Sequence, residues 1–170
     1  YTFKPSTYKL VGNIPYYITG NLLRVIGELP DKPELIILMI QKEVAERVAA
    51  GPGKMNLLAA ATQIWADVEI LFTLTATDFD PAPEVSSGVV RLKVKGERLK
   101  VEETEKYYQF IHGAFKQPRK TLLNNLCDKA EDKAKILLEL QKFGFTEKTR
   151  AQELDIASLA SLASLASELQ

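Results

Sequence analysis

Apolar and polar positions follow two rhythms along the chain, and the change between them falls near residue 95. "YKLVGN" (8–13) is a short apolar run ending in Gly-Asn and reads as a buried strand. In "ITGNLLRVIGEL" (18–29), Leu22, Leu23, Ile26 and Leu29 recur at helical spacing, with Thr19 placed as a cap. "LPDKP" is a turn, and "ELIILMI" (34–40) is an apolar strand of the kind buried on both faces of a parallel sheet. "QKEVAERVAAG" (41–51) reads as a helix closed by Gly51, with "GPGK" as its stop. "MNLLAAATQIWA" (55–66) is helical. "DVEILFTLT" (67–75) and "GVVRLKV" (88–94) are strands, joined by the proline-punctuated "DFDPAPEVSS". The order β-α-β-α-α-β-β predicts the second half of an open α/β sheet.

Beyond Lys95 the pattern is helical throughout. "KGERLKVEETEK" is charged and linker-like, and helical spacing follows over 103–116, 118–127, 131–143 and about 155–169. Pro118 falls in the first turn of the second of these, where a proline is tolerated. The tail "IASLASLASLASEL" has a three-residue period and reads as a small helix laying a Leu/Ala face on a bundle. Two parts are expected: α/β over 1–95 and all-helical over 96–170.

Composition narrows the class without naming a partner. The 170 residues are 46% hydrophobic and 26% charged, enough for a sizeable core in a globular protein. Lys and Arg number 22 and Asp and Glu 22, so global charge points nowhere. Locally, residues 91–120 carry nine Lys/Arg against four Glu, which reads as a solvated linker or an RNA-facing strip. A single cysteine, Cys127, excludes an internal disulfide and reads as a small buried hydrophobe. "LIILMI" (35–40) is far too short to span a membrane, and the N-terminal residues lack a signal-peptide shape, so a cytoplasmic protein is expected. His112 stands alone and suggests packing or an RNA edge rather than a metal ligand, and Trp65 reads as core. The chain opens at Tyr1 with a strand following almost at once, so a piece of a longer protein is expected.

Three stretches carry chemistry. In "NIPY" (13–16), Pro15 pushes Ile14 into an extended conformation, so the loop leaves a strand's carboxyl end, where open α/β sheets place their ligands. The Asn13 carboxamide oxygen and the Pro15 carbonyl can then face one small polar group, with the Tyr16 ring alongside. Two acceptors and a stacking face suit an exocyclic amine on an aromatic base; the same residues also suit a proline turn with an Asn cap. In "DFDPAPEVSSGVVRL" (78–92), Phe79 precedes a stiff P-x-P segment, and a ring there opposite Tyr16 would sandwich a flipped base. "FKQPRKTLLNNL" (115–126) reads as a basic helix start, with Lys116, Arg119 and Lys120 suited to phosphate.

"NIPYYIT", "QKEVAERVAAGPG", "FDPAPEVSSGVVRL" and "FKQPRKTLLNNL", in this order and spacing, resemble the ribosomal RNA adenine N6-dimethyltransferases of the small subunit. The resemblance runs from about Tyr8 to the C-terminus. It implies the later part of a Rossmann-like S-adenosylmethionine-dependent methyltransferase sheet (1–95), followed by a small all-α domain (96–170). It also implies dimethylation of adenosines in small-subunit ribosomal RNA, S-adenosyl-L-methionine as cofactor, and the immature small ribosomal subunit as partner. The family motif makes Asn13 and the Pro15 carbonyl acceptors for the adenine N6 hydrogens, with Asn13 also touching the cofactor. Tyr16 and Phe79 become base-stacking rings, and Lys116, Arg119 and Lys120 become RNA contacts, with no metal.

Erythromycin-resistance methylases share the Asn-Leu/Ile-Pro-Tyr loop but not "QKEVAERV" or "RKTLLNNL". DNA adenine methylases typically carry Asp-Pro-Pro-Tyr or Asn-Pro-Pro-Tyr, against which Ile14 argues. A non-catalytic RNA-binding or ribosome-assembly module is the remaining alternative. The sequence departs from the family at Pro118, where an arginine is common, and at Ile14, where leucine is common. None of its nine glycines forms the G-x-G-x-G cofactor loop, so a polypeptide with these residues alone is expected to be inactive.

Overall fold

The computed structural model describes residues 8–96, 101–126 and 130–167. Cys127 lies outside them. The backbone divides into two compact units, one of residues 1–49 and 61–98, the other of 50–60 and 99–170.

The first unit is a four-stranded mixed sheet with helices. Its strands are β1 (Lys9–Asn13), β2 (Leu35–Gln41), β3 (Ala66–Leu74) and β4 (Ser87–Val94), in the spatial order β1-β2-β4-β3. β1 and β2 run parallel, joined through helix α1 (Thr19–Glu28), whereas β4 inserts antiparallel between β2 and β3. In β2, Ile36, Leu38 and Ile40 are fully buried, and α2 (Lys42–Val48) packs its Ala45 and Val48 against the sheet. Gly88 makes that approach possible: a Cβ there would lie 2.9 Å from the Ala45 Cβ and 3.6 Å from the Lys42 Cα. Trp65 is 8% exposed, in the turn just before β3, and is core as expected. A register shift between Ile70 and Phe72 breaks the β3–β4 ladder along the outer strand.

The second unit is helical, with α4 (Val101–Ala114), α5 (Leu122–Leu126), α6 (Ala130–Lys142) and α7 (Ile156–Ser167). The serine-and-leucine tail packs as its period predicts: Leu159, Leu162 and Ala163 of α7 are buried, and α7 meets α4 and α6. Residues 50–60, which open α3 (Leu57–Gln63), group with these helices, and the buried Tyr107 hydroxyl donates to the Ala60 carbonyl at 3.1 Å. Burial pushes the Tyr107 phenol far above its ordinary range, so it remains a neutral donor.

Several expectations need correction. β2 is not uniformly buried: Leu35, Ile37 and Met39 are half-buried, and only β1 beside it is parallel. The helix expected over 41–51 starts at Lys42, because Gln41 completes β2, and stops at Val48. The glycine beyond it with left-handed backbone is Gly53 (φ 89°), not Gly51. Thr19 does not cap α1; its hydroxyl donates back to the Tyr16 carbonyl at 3.0 Å. The basic helix expected over 118–127 begins only at Leu122, leaving Pro118 in a turn. The Leu122 N–H donates to the Thr149 carbonyl at 2.8 Å, so it is satisfied without an earlier helical turn.

Candidate active site

Sheet register brings the motif segments of the first unit to one end. Asn13 pairs with Met39, which pairs with Val89, which pairs with Phe72. The carboxyl ends of β1, β2 and β3 and the amino end of β4 therefore lie along the same edge. "NIPY", the start of "KEVAERV" and the "TATDFDPAPEVSS" connection all emerge there.

Asn13 ends β1 with its backbone paired and its side chain exposed. Among the described residues its carboxamide has no hydrogen-bond partner, so both amide groups are available to a ligand. Pro15 is extended (φ −57°, ψ 131°) and precedes a 3-10 turn, Tyr16–Ile18. Its carbonyl accepts from the Ile18 N–H at 3.2 Å, which fixes its direction and leaves a second lone pair. Gly12 stands where a Cβ would meet Ile14 Cγ2 at 3.2 Å and Leu38 Cδ2 at 3.3 Å, so the tight exit from β1 calls for a small residue.

Tyr16 is half-buried, and its hydroxyl shares a 2.7 Å hydrogen bond with the Ser87 hydroxyl; either can donate. Ser87 is fully buried as the first residue of β4. Phe79 is half-buried and follows a 3-10 turn, Ala76–Asp78, held by a capping box in which Asp78 Oδ2 accepts from the Thr75 N–H at 2.7 Å and the Thr75 hydroxyl at 2.9 Å. Tyr16 and Phe79 share this end of the sheet and make no ring contact with each other. Sequence reasoning missed Ser87, although it lies inside a motif it had singled out. Between β2 and the Phe79 segment, Lys42 N–H donates to the Ser86 carbonyl at 2.9 Å, beside a groove of about 350 Å3 lined partly by Lys42, Glu43 and Val85.

In the second unit, Lys116, Arg119 and Lys120 are exposed in the turn between α4 and α5. The Asn125 amide donates to the Ala114 carbonyl at 2.9 Å and the Gln117 carbonyl at 3.0 Å, tying the turn to the end of α4. His112 is exposed on α4.

Solved structures share this fold. Over 95% of this chain, a dimethyladenosine transferase from Plasmodium falciparum superposes with a TM-score of 0.71 at 23% identity, covering 67% of that chain. The 23S ribosomal RNA methyltransferase ErmE superposes with a TM-score of 0.75 at 21% identity, over 95% of this chain and 66% of that one. The architecture is of the Rossmann-like class, comprising a mixed α/β sheet and a helical unit.

Within that class, residues 3–168 match the family model for ribosomal RNA adenine dimethylase, and the chain belongs to that family. It is 40% identical to ribosomal RNA small subunit methyltransferase A of Koribacter versatilis over 161 residues, 92% of this chain and 56% of the relative. The enzyme of the same name from Geobacillus thermodenitrificans is 37% identical over 165 residues, again 92% of this chain and 56% of the relative. The chain thus spans about half the length of the curated relatives it matches.

Proposed function

We propose that this chain carries the base-capturing part of an enzyme that dimethylates N6 of adenosines in small-subunit ribosomal RNA, acting in the cytoplasm on the immature subunit. One observation supports this above the others. The exposed Asn13 carboxamide and the Pro15 carbonyl emerge at the sheet edge that also carries Tyr16 and the Phe79 segment.

Adenine N6 is a poor nucleophile because its lone pair is delocalised into the purine ring. The Asn13 oxygen and the Pro15 carbonyl, accepting from the two amine hydrogens, draw the nitrogen toward tetrahedral geometry and free that pair. Tyr16 and Phe79 hold the flipped base between their faces, so orientation and fixed dipoles do most of the work. When bound, S-adenosyl-L-methionine supplies an electrophilic sulfonium methyl. The exposed Asn13 carboxamide, at the end of a parallel strand, is the group here that fits its polar edge. The methylated nitrogen sheds its proton readily, so no strong base is called for. Lys116, Arg119 and Lys120 would meet RNA phosphates, in a helical domain whose boundary we place near residue 96.

Transfer of labelled methyl from S-adenosyl-L-methionine to purified ribosomal RNAs by the whole enzyme that carries this chain tests the reading. Label is expected in small-subunit RNA as N6,N6-dimethyladenosine. RNA binding without transfer would instead indicate a non-catalytic module, and label in large-subunit RNA would indicate the erythromycin-resistance type of enzyme.

A further inference from the structure

Three consecutive residues where β4 begins engage two of the motif segments between them. The Ser86 carbonyl accepts from the Lys42 N–H at the head of α2. The Ser87 hydroxyl meets the Tyr16 hydroxyl at 2.7 Å. Gly88 lies against Ala45, where even a methyl group would come within 2.9 Å. Ser87 is the member of this trio whose side chain reaches the proposed base pocket. It is wholly inaccessible, so it does not itself meet RNA or cofactor. Tyr16, by contrast, is half-buried, with part of its surface open to a ligand.

We infer that Ser87 is a positioning residue for base capture, setting the plane of the Tyr16 ring through their shared hydroxyl hydrogen bond. The inference rests on the assignment of Tyr16 as a stacking ring. A tyrosine ring is otherwise restrained only by its two side-chain torsions and by packing, and its ring torsion is broad. Anchoring the para hydroxyl to a buried, strand-borne serine removes that freedom before the base arrives, so less ordering remains to be done on binding. The hydrogen bond also joins "NIPY" to the strand that follows the Phe79 segment, so the Tyr16 ring is referenced to the segment carrying Phe79. In this role a phenylalanine at position 16 would keep the stacking face and lose the registration.

A double-mutant cycle in the whole enzyme that carries this chain tests this, using Tyr16→Phe, Ser87→Ala and the pair. Base capture is read from the fluorescence of 2-aminopurine at the target position of the RNA, and methyl transfer from single-turnover rates. Each single variant is expected to weaken capture and slow transfer by about 3- to 10-fold, the scale of one net hydrogen bond. The double variant should lose no more than either single, while RNA affinity of the Tyr16→Phe protein stays near wild type. Effects that multiply in the double variant would overturn the inference, because Ser87 would then act independently of Tyr16. So would a normal capture signal in both singles while Tyr16→Ala slows transfer strongly, which would leave the stacking assignment intact. If Tyr16→Ala also captures and methylates normally, the stacking assignment itself fails and takes the inference with it. Should Ser87→Ala fold poorly, Tyr16→Phe breaks the same bond from the half-buried side, and normal capture by that variant overturns the inference alone.

Discussion

Asn13 and Phe79 would act on the same base in different ways, and their replacement should separate the two effects. Asn13→Ala removes one preorganised acceptor and should slow single-turnover methylation by about 10²–10³-fold with little change in RNA affinity. Near-normal turnover would assign Asn13 to the turn alone. Phe79→Ala should weaken base capture by about 1–3 kcal/mol, the scale of one base–aromatic stack, whereas Phe79→Tyr should retain most activity because the stacking face survives. Equal behaviour of the two variants would make Phe79 an ordinary packing residue. Asn13, Pro15 and Phe79 were candidates in the sequence because prolines fix the backbone around them and so limit what their neighbours can do. Ser87 was not. A serine entering a strand carries no local signal, and its meeting with a tyrosine 71 positions away follows only from strand register.

α5 is much shorter than its apolar pattern suggests, and the reason lies in side chains that bond to the backbone. Asn125 holds the Ala114 and Gln117 carbonyls, so the residues from Phe115 to Thr121 form a turn and not a helical start. Periodicity registers which face is apolar; it does not register such competing bonds. The basic residues are therefore displayed on a fixed turn. Neutralising Lys116, Arg119 and Lys120 should flatten the plot of log affinity for RNA against log salt by about 0.7–0.9 for each phosphate no longer neutralised. An unchanged slope in that titration would assign all three to solvent. α7 offers a separate test. Asp155 Oδ1 accepts from the Ser158 N–H at 2.8 Å, and this backbone hydrogen bond, followed by one from the Ser158 side chain, holds its carboxyl below the ordinary aspartate range. Its folded pKa is the lower one, so the stabilisation is fully present above the unfolded value and is lost as pH falls through the folded value. Asp155→Ala should destabilise the protein by about 1 kcal/mol at neutral pH, whereas Asp155→Asn should keep most of the cap and lose the acid dependence. Thermal melts of the two variants between neutral and acid pH would show it; matching curves for wild type and Asp155→Asn at every pH would contradict the assignment.

The order of strands and helices was legible from periodicity alone, since each element is long and regular enough to declare its type. Sheet topology was not, because nothing local to "GVVRLKV" says that it inserts antiparallel between β2 and β3. Yet that insertion turns the amino end of β4 toward the carboxyl ends of the other three strands. The motif segments, scattered over residues 13–88, thereby come to one edge, where open α/β sheets place their ligands. The proposed chemistry depends on this convergence more than on any one residue, and its product can be sought in the cell. Mass spectrometry of ribosomal RNA from cells lacking the gene, and from the same cells restored with the wild-type or the Asn13→Ala protein, is the most direct measurement. N6,N6-dimethyladenosine should vanish from small-subunit RNA on deletion, return with the wild-type protein and fail to return with Asn13→Ala. Unchanged dimethyladenosine in the deletion strain, or full restoration by Asn13→Ala, would contradict the proposed chemistry.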